Sequence, residues 1–203
     1  MLAALEVPGC DGLEFDLRNS ADRVPVLLHD ADLARVQKVP MACATLTAEE
    51  LAGHGIPTFK EVLDAVECDV FLDVELKERV DAAIDLLELE RGRVRDDGTP
   101  ELRSAVLSSF EPEILSWLAS TRPTWARWLN AYDLSPKTLG LAQELGCEAI
   151  SAEWHAIDED AVRRARDAGL GVGAWTVRAE ADYERLASLG LRAICAEASA
   201  LDG

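Results

Sequence analysis

Short apolar runs alternate with amphipathic segments along most of this chain, and the alternation becomes regular from about residue 70. Mainly apolar runs of four to seven residues predict strands at Val70–Leu76, Ser104–Ser108, Ala149–Ala152, Gly171–Thr176 and Arg192–Ala196, with a weaker one at Trp125–Leu129. Between them the helical period predicts helices at 78–91, Pro112–Ala119, 135–145, 158–168 and 179–189. Gly146, Gly169 and Gly190 stand where such helices close before the next strand. Strand and helix in strict alternation indicate a parallel α/β sheet, either doubly wound or a (β/α) barrel. The glycine-rich phosphate loops of dinucleotide and P-loop folds are absent.

The first seventy residues are less regular. Met1–Glu6 reads as a helix ended by Pro8-Gly9, and a strand follows through Asp11-Gly12-Leu13-Glu14-Phe15-Asp16. The polar turn Asn19–Asp22 returns the chain through the apolar run Val24–Leu28 to His29 and Asp30. Residues 31–57 are mixed and polar, with a capping box at Thr47–Glu50, and a helix runs from Phe59 to Val66. The count is seven parallel strands plus the hairpin return, one short of a closed eight-stranded barrel.

Side chains two apart on a strand share a face, so Glu14 and Asp16 project together, as do Asp73, Glu75 and Lys77. In a barrel, the C-terminal ends of strands line the active-site mouth. Carboxylates gathered there with one lysine suit a hard divalent cation, Mg²⁺ or Ca²⁺, and Lys77 suits an anionic substrate group. A salt-bridge network between strand ends is the competing reading. His29 beside Glu14 is a candidate general acid or base, because imidazole titrates near neutral pH, and Asp30 either orients its ring or opens the following turn. His54, between two glycines, is expected to be inert; His155 follows a strand and stands even between lining the mouth and simple exposure. Trp175 ends a strand and is either a pocket wall or barrel packing. No G-x-S-x-G elbow surrounds Ser108-Ser109, which excludes a serine nucleophile.

Composition narrows the partners. A formal charge of −18 without clustered Lys or Arg excludes nucleic acid and anionic membrane surfaces as main partners. Five scattered cysteines, none in a C-x-x-C pair, indicate neither a disulfide framework nor a zinc site. With no signal peptide and no apolar run of about 18 residues, a cytoplasmic protein is expected. No particular oligomeric state is implied.

The segments GCDGLEFDLRNSADRVPVLLHDADLARV, IPTFKEVLDAV, FLDVELKE, VLSSFEPEIL and GLGVGAWTVRAEADYERLASLG together resemble the glycerophosphodiester phosphodiesterase family, in family order and nearly along the whole chain. The resemblance implies one domain over 1–203, a TIM (β/α)8-type barrel with residues 30–57 as a small insertion after the E-x-D hairpin. It implies hydrolysis of a small-molecule glycerophosphodiester to glycerol 3-phosphate and an alcohol with a divalent cation. By motif, Glu14, Asp16 and Glu75 match metal ligands, His29 a catalytic histidine, Lys77 a phosphate contact and Trp175 a pocket residue. The family's first strand, carrying H-R-G, and its E-N-T loop have no counterpart here, so the barrel is expected to lack its first strand and the activity to be impaired. Ala196-Glu197-Ala198-Ser199 stands where the family has T-D-x-P, and Arg178 where it has asparagine. Two alternatives remain: a non-catalytic, phosphate- or metal-binding relative with a regulatory role, and a glycosidase using Glu14 and Glu75.

Overall fold

The structure is a computed structural model, and it describes residues 2–197. The chain divides into two compact units, one of Asp11–Leu107 and one of Met1–Cys10 with Ser108–Gly203.

The Asp11–Leu107 unit contains β1 (Gly12–Asn19), β2 (Pro25–Leu27), α1 (Ala48–Ala52), α2 (Phe59–Ala65), β3 (Phe71–Leu76), α3 (Asp81–Arg91), β4 (Gly92–Val94), β5 (Pro100–Leu102) and most of β6 (Ala105–Ser109). Its main sheet runs in the order β2-β1-β3-β6. β1 and β3 are parallel, with Glu14 opposite Asp73 and Asp16 opposite Glu75. Gly12 is needed at that seam, because a Cβ there would lie 2.3 Å from the Phe71 carbonyl oxygen. β1 extends three residues beyond Asp16, so Glu14 and Asp16 sit within the strand rather than at its end. The return strand β2 is also shorter than the apolar run suggested. Leu28 N–H still reaches the Asp16 carbonyl, while Leu27 N–H turns to Pro57 on the other side.

Residues 31–57 are more ordered than their polar composition implies. Leu33, Cys43, Leu46, Leu51 and Ile56 close on Val26 and Leu28 in a buried cluster of their own. Thr47 and Thr58 each form a capping box, with Glu50 and Glu61, that starts α1 and α2. α3 starts three residues later than its apolar period predicts. Glu78 accepts hydrogen bonds from the Asn19 backbone and side chain, holding residues 77–80 as a bend between β3 and α3. The antiparallel pair β4–β5 is unexpected; Glu101 ties it by accepting from Arg93 and Arg95.

The other unit holds α4 (Pro112–Thr121), β7 (Arg127–Ala131), α5 (Pro136–Glu144), β8 (Ala149–Glu153), α6 (Glu159–Asp167), β9 (Gly171–Val177), α7 (Glu180–Ala187) and β10 (Ala193–Ala196). Its strands lie in the order β7-β8-β9-β10 and pair in parallel. The alternating β–α units predicted from residue 70 onward are therefore present. β7 lies two residues later than its apolar run, and Leu2–Glu6 is a 3-10 rather than an α-helix. Arg127 anchors the start of β7 by donating to the carbonyls of Trp125 and Gly146. The Ala198-Ser199 part of the expected T-D-x-P departure lies outside the described residues.

Candidate active site

Pairing in register brings two pairs of like-facing acids together. Glu14 and Asp16 on β1 stand opposite Asp73 and Glu75 on β3. One carboxylate oxygen each from Glu14, Asp16 and Glu75 lies within 4.8 Å of the others. Lys77, immediately after β3, inserts its ammonium among them, 2.8 Å from Asp16 Oδ1 and in direct contact with Glu75 Oε1. Lys77 is mostly buried, and Glu75 is buried.

The electrostatics follow from a crowd of acids with one ammonium among them. Loss of water around the Glu14 carboxyl, then the charges of Asp16, Asp73 and Glu75, push its pKa from 4.5 to about 8 against the weaker pull of Lys77. Desolvation also raises Glu75, and Lys77 opposes it. Burial by itself would lower Lys77, but its hydrogen bonds to Asp16 and Glu75 outweigh that and raise it. The ammonium therefore stays charged, and the unbalanced negative charge is felt mainly at Glu14.

That donor set fits a hard divalent cation. All ligand atoms are carboxylate oxygens, three converge, and at neutral pH burial and the neighbouring carboxylates outweigh Lys77 and keep a proton on Glu14. The predicted metal residues are thus brought together, and Asp73 joins them electrostatically.

His29 is exposed and follows β2, the strand that pairs with β1, which carries Glu14 and Asp16. Its Nδ1 meets Asp30 Oδ1 at 2.8 Å, as the sequence suggested. Two arginines outside the predicted set complete the arrangement. Arg35 Nε donates to Asp30 Oδ2 at 2.6 Å, and Arg18 donates through Nε and Nη2 to the His29 carbonyl. The Arg35 hydrogen bond, then the one to His29, pull Asp30 down to about 2, so Asp30 is ionised whenever the ring needs it. With Nδ1 tied to a carboxylate, Nε2 is the nitrogen left to exchange a proton.

Trp175 belongs to the other unit. Its indole N–H donates to the Ser151 carbonyl at 2.8 Å, and its ring meets Phe110 and Tyr132 edge-on at 5.4 and 5.5 Å. Phe110 and Tyr132 also pack on each other. Neither was singled out in the sequence, since each follows a different strand. His155 pairs with Glu153 through Nδ1 at 2.6 Å and stacks on Trp154. His54 stands in a turn after α1, with no contact to the carboxylates among the described residues.

Residues 2–200 match the model of the glycerophosphoryl diester phosphodiesterase family. Solved structures with similar folds include an Oleispira antarctica phosphodiesterase in complex with the product sn-glycerol-3-phosphate. It is 23% identical, with a TM-score of 0.80, over 96% of this chain and 83% of that one. A glycerophosphodiester phosphodiesterase from Thermotoga maritima is 21% identical, with a TM-score of 0.78, over 96% and 84%. One from Agrobacterium tumefaciens is 20% identical, with a TM-score of 0.76, over 98% and 88%. No curated protein sequence matches the chain.

Proposed function

From the premise that this chain belongs to the glycerophosphoryl diester phosphodiesterase family, we propose that it cleaves a small glycerophosphodiester to glycerol 3-phosphate and an alcohol at the Glu14–Asp16–Glu75 cluster. The observation that carries this reading is the convergence of three carboxylates with Lys77, with the Asp30-bound His29 following the strand that pairs with β1. Glu14, Asp16 and Glu75 would hold the divalent cation, Mg²⁺ or Ca²⁺. A cation bound there supplies positive charge against the phosphate oxygens as negative charge develops on them.

The chain's own residues have separate tasks in this scheme. Lys77 presents a permanently charged ammonium to an anionic phosphate. His29 gives or takes a proton at Nε2, protonating the leaving alkoxide or activating the attacking oxygen. Asp30, held by Arg35, fixes the ring with Nδ1–H inward, and Arg18 holds the backbone from which the ring projects. Trp175, with Phe110 and Tyr132, offers an apolar surface suited to the carbon part of a substrate.

Two proton transfers are needed for the full reaction, and within the Asp11–Leu107 unit His29 is the histidine that follows the strand paired with β1. We therefore propose that these 203 residues turn over slowly, by roughly 10²–10⁴-fold relative to an enzyme with both partners. No helix among the described residues is long and apolar enough to cross a membrane.

Glycerol 3-phosphate release from glycerophosphodiesters, measured in metal-free buffer and after adding back Mg²⁺ or Ca²⁺, tests the reading. Cation-dependent release that Glu75→Ala removes is expected. Release that persists unchanged with a chelator would sink the metal-site assignment. Tight cation binding with no release from any glycerophosphodiester would favour the regulatory, binding-only relative instead.

A further inference from the structure

A second chemical feature lies wholly within the unit that carries α4 to β10. The start of β9, the end of α6 and the turn before β10 enclose a cleft of about 340 Å³. Val162, Leu170 and Val172, all buried residues, supply its apolar lining. Arg166 and Arg192 are the charged residues that line it. The Arg166 guanidinium has no hydrogen bond or ion pair among the described residues, and Arg192 has only a long contact, 3.9 Å, to Glu148.

The backbone around Arg192 is shaped for its side chain. A Cβ on Gly171 would come within 2.5 Å of Arg192 Nε and 2.8 Å of its Cδ, so the arginine lies flat against the glycine backbone. Two under-neutralised guanidiniums over an apolar floor are unexpected in a chain of net charge −18, where carboxylates outnumber cations almost two to one. Any acid displaced towards them would be neutralised at once, yet none lines the cleft. Volume also matters: 340 Å³ is at the lower end for small-molecule sites. At about 30 Å³ per water-sized group it admits roughly ten such groups.

We propose that this cleft is a binding site for a small amphiphilic anion, a phosphate monoester or carboxylate with a short apolar body. The anionic head lies between Arg166 and Arg192, each able to donate two parallel N–H groups to one oxyanion. The body rests on Val162, Leu170 and Val172. Such a site is separate in sequence and chemistry from the carboxylate cluster, which repels anions unless a cation is present.

Phenyl phosphate, inorganic phosphate and phenol are the probes, titrated calorimetrically into the full chain in metal-free, zwitterionic buffer at low ionic strength. One-to-one binding of phenyl phosphate is expected, weakened about tenfold or more in the Arg166→Ala, Arg192→Ala double variant. Gly171→Ala keeps both charges but displaces Arg192, and should weaken binding several-fold. Arg166 and Arg192 are exposed and Gly171 is half-buried at the start of β9, and unchanged circular dichroism and melting temperature confirm that both variants fold. Inorganic phosphate and phenol should each bind more weakly than phenyl phosphate. Binding that survives the double variant, or that Lys77→Met removes instead, overturns the proposal. So does an equal affinity for inorganic phosphate, or no heat up to tens of millimolar phenyl phosphate. No divalent cation and no turnover enter the measurement, so its outcome is independent of whether the carboxylate cluster hydrolyses phosphodiesters.

Discussion

Replacing Glu14 with glutamine should stabilise the cation-free protein and destabilise the cation-loaded one. The reasoning starts from the Glu14 carboxyl, whose pKa rises from 4.5 to about 8 on folding. Between those values the folded state binds more protons at this position than the unfolded state, so stability falls as pH rises. At pH 7 the full penalty is 7 minus 4.5, at about 1.36 kcal/mol each, or about 3.4 kcal/mol. Glu14 is exposed at the residue level, so water screens much of this. A third to a half of it, about 1–1.7 kcal/mol, is the realistic size.

Glutamine is neutral at every pH and similar in shape. In metal-free buffer, Glu14→Gln should therefore gain nothing near pH 4 and about 1–1.7 kcal/mol at pH 7. For a chain of this length that is a rise in melting temperature of about 2–6 °C. Adding Mg²⁺ or Ca²⁺ reverses the order, because a ligand stabilises only the state that binds it, and glutamine removes one anionic ligand. Thermal melts at pH 4, 5.5, 7 and 8, with and without cation, measure all of this at once. A gain that is the same at every pH, or a variant that responds to cation as the parent does, would refute the account of Glu14 as an uncompensated metal ligand.

Other outcomes follow from neighbouring groups. His29→Ala should lower cation-dependent glycerol 3-phosphate release by about 10²–10⁴-fold. Its side chain is 63% exposed, so the melting temperature should stay unchanged. Lys77→Met leaves Asp16 and Glu75 without their ammonium in a mostly buried place and should cost about 3 kcal/mol in metal-free urea unfolding. Much of that loss should return when a divalent cation is added. Leu33→Ala removes a fully buried side chain from the cluster under residues 31–57 and should cost about 2–5 kcal/mol in the same measurement. A loss below about 0.5 kcal/mol would mean that this segment packs too loosely to be a structural part of the unit.

Much of the fold was readable because the relevant signals are local. The period-two pairs Glu14/Asp16 and Asp73/Glu75 follow from strand geometry alone, and so does their grouping on shared faces. Register does not. That Glu14 faces Asp73, rather than a residue two places along, depends on parallel pairing between strands more than fifty residues apart, and on Gly12 allowing the close approach to Phe71. The β4–β5 pair was missed because Gly92–Val94 has no apolar alternation and is exposed throughout. Asp97-Gly98, with Gly98 at φ +86°, was the available signal. Residues 31–57 looked polar because their apolar residues are spaced irregularly, and irregular spacing can still fill a core when the chain turns back on itself between them. Phe110 was out of reach for the same reason as the register: it packs on Tyr132 and Trp175, which only the folded chain brings near.

The charge distribution itself argues for a functional cluster over a structural ion-pair network. A network that serves stability alternates signs, as Arg93, Arg95 and Glu101 do on the β4–β5 pair, where the two arginines hold Glu101 below its ordinary range. At the β1–β3 seam Asp16 and Glu75 hold Lys77, and burial together with the charges of Asp16, Asp73 and Glu75 leaves Glu14 a carboxyl that keeps its proton up to about pH 8. Asparagine or glutamine at one of these positions would relieve the repulsion at little steric cost, so the arrangement works against the cation-free fold. A carboxylate surplus of this kind is recoverable only by adding positive charge from outside the chain. The convergence of three oxygens within 4.8 Å places that charge in one spot, beside the lysine. The stability sacrificed at Glu14 is therefore a measure of how strongly the cluster should draw a divalent cation.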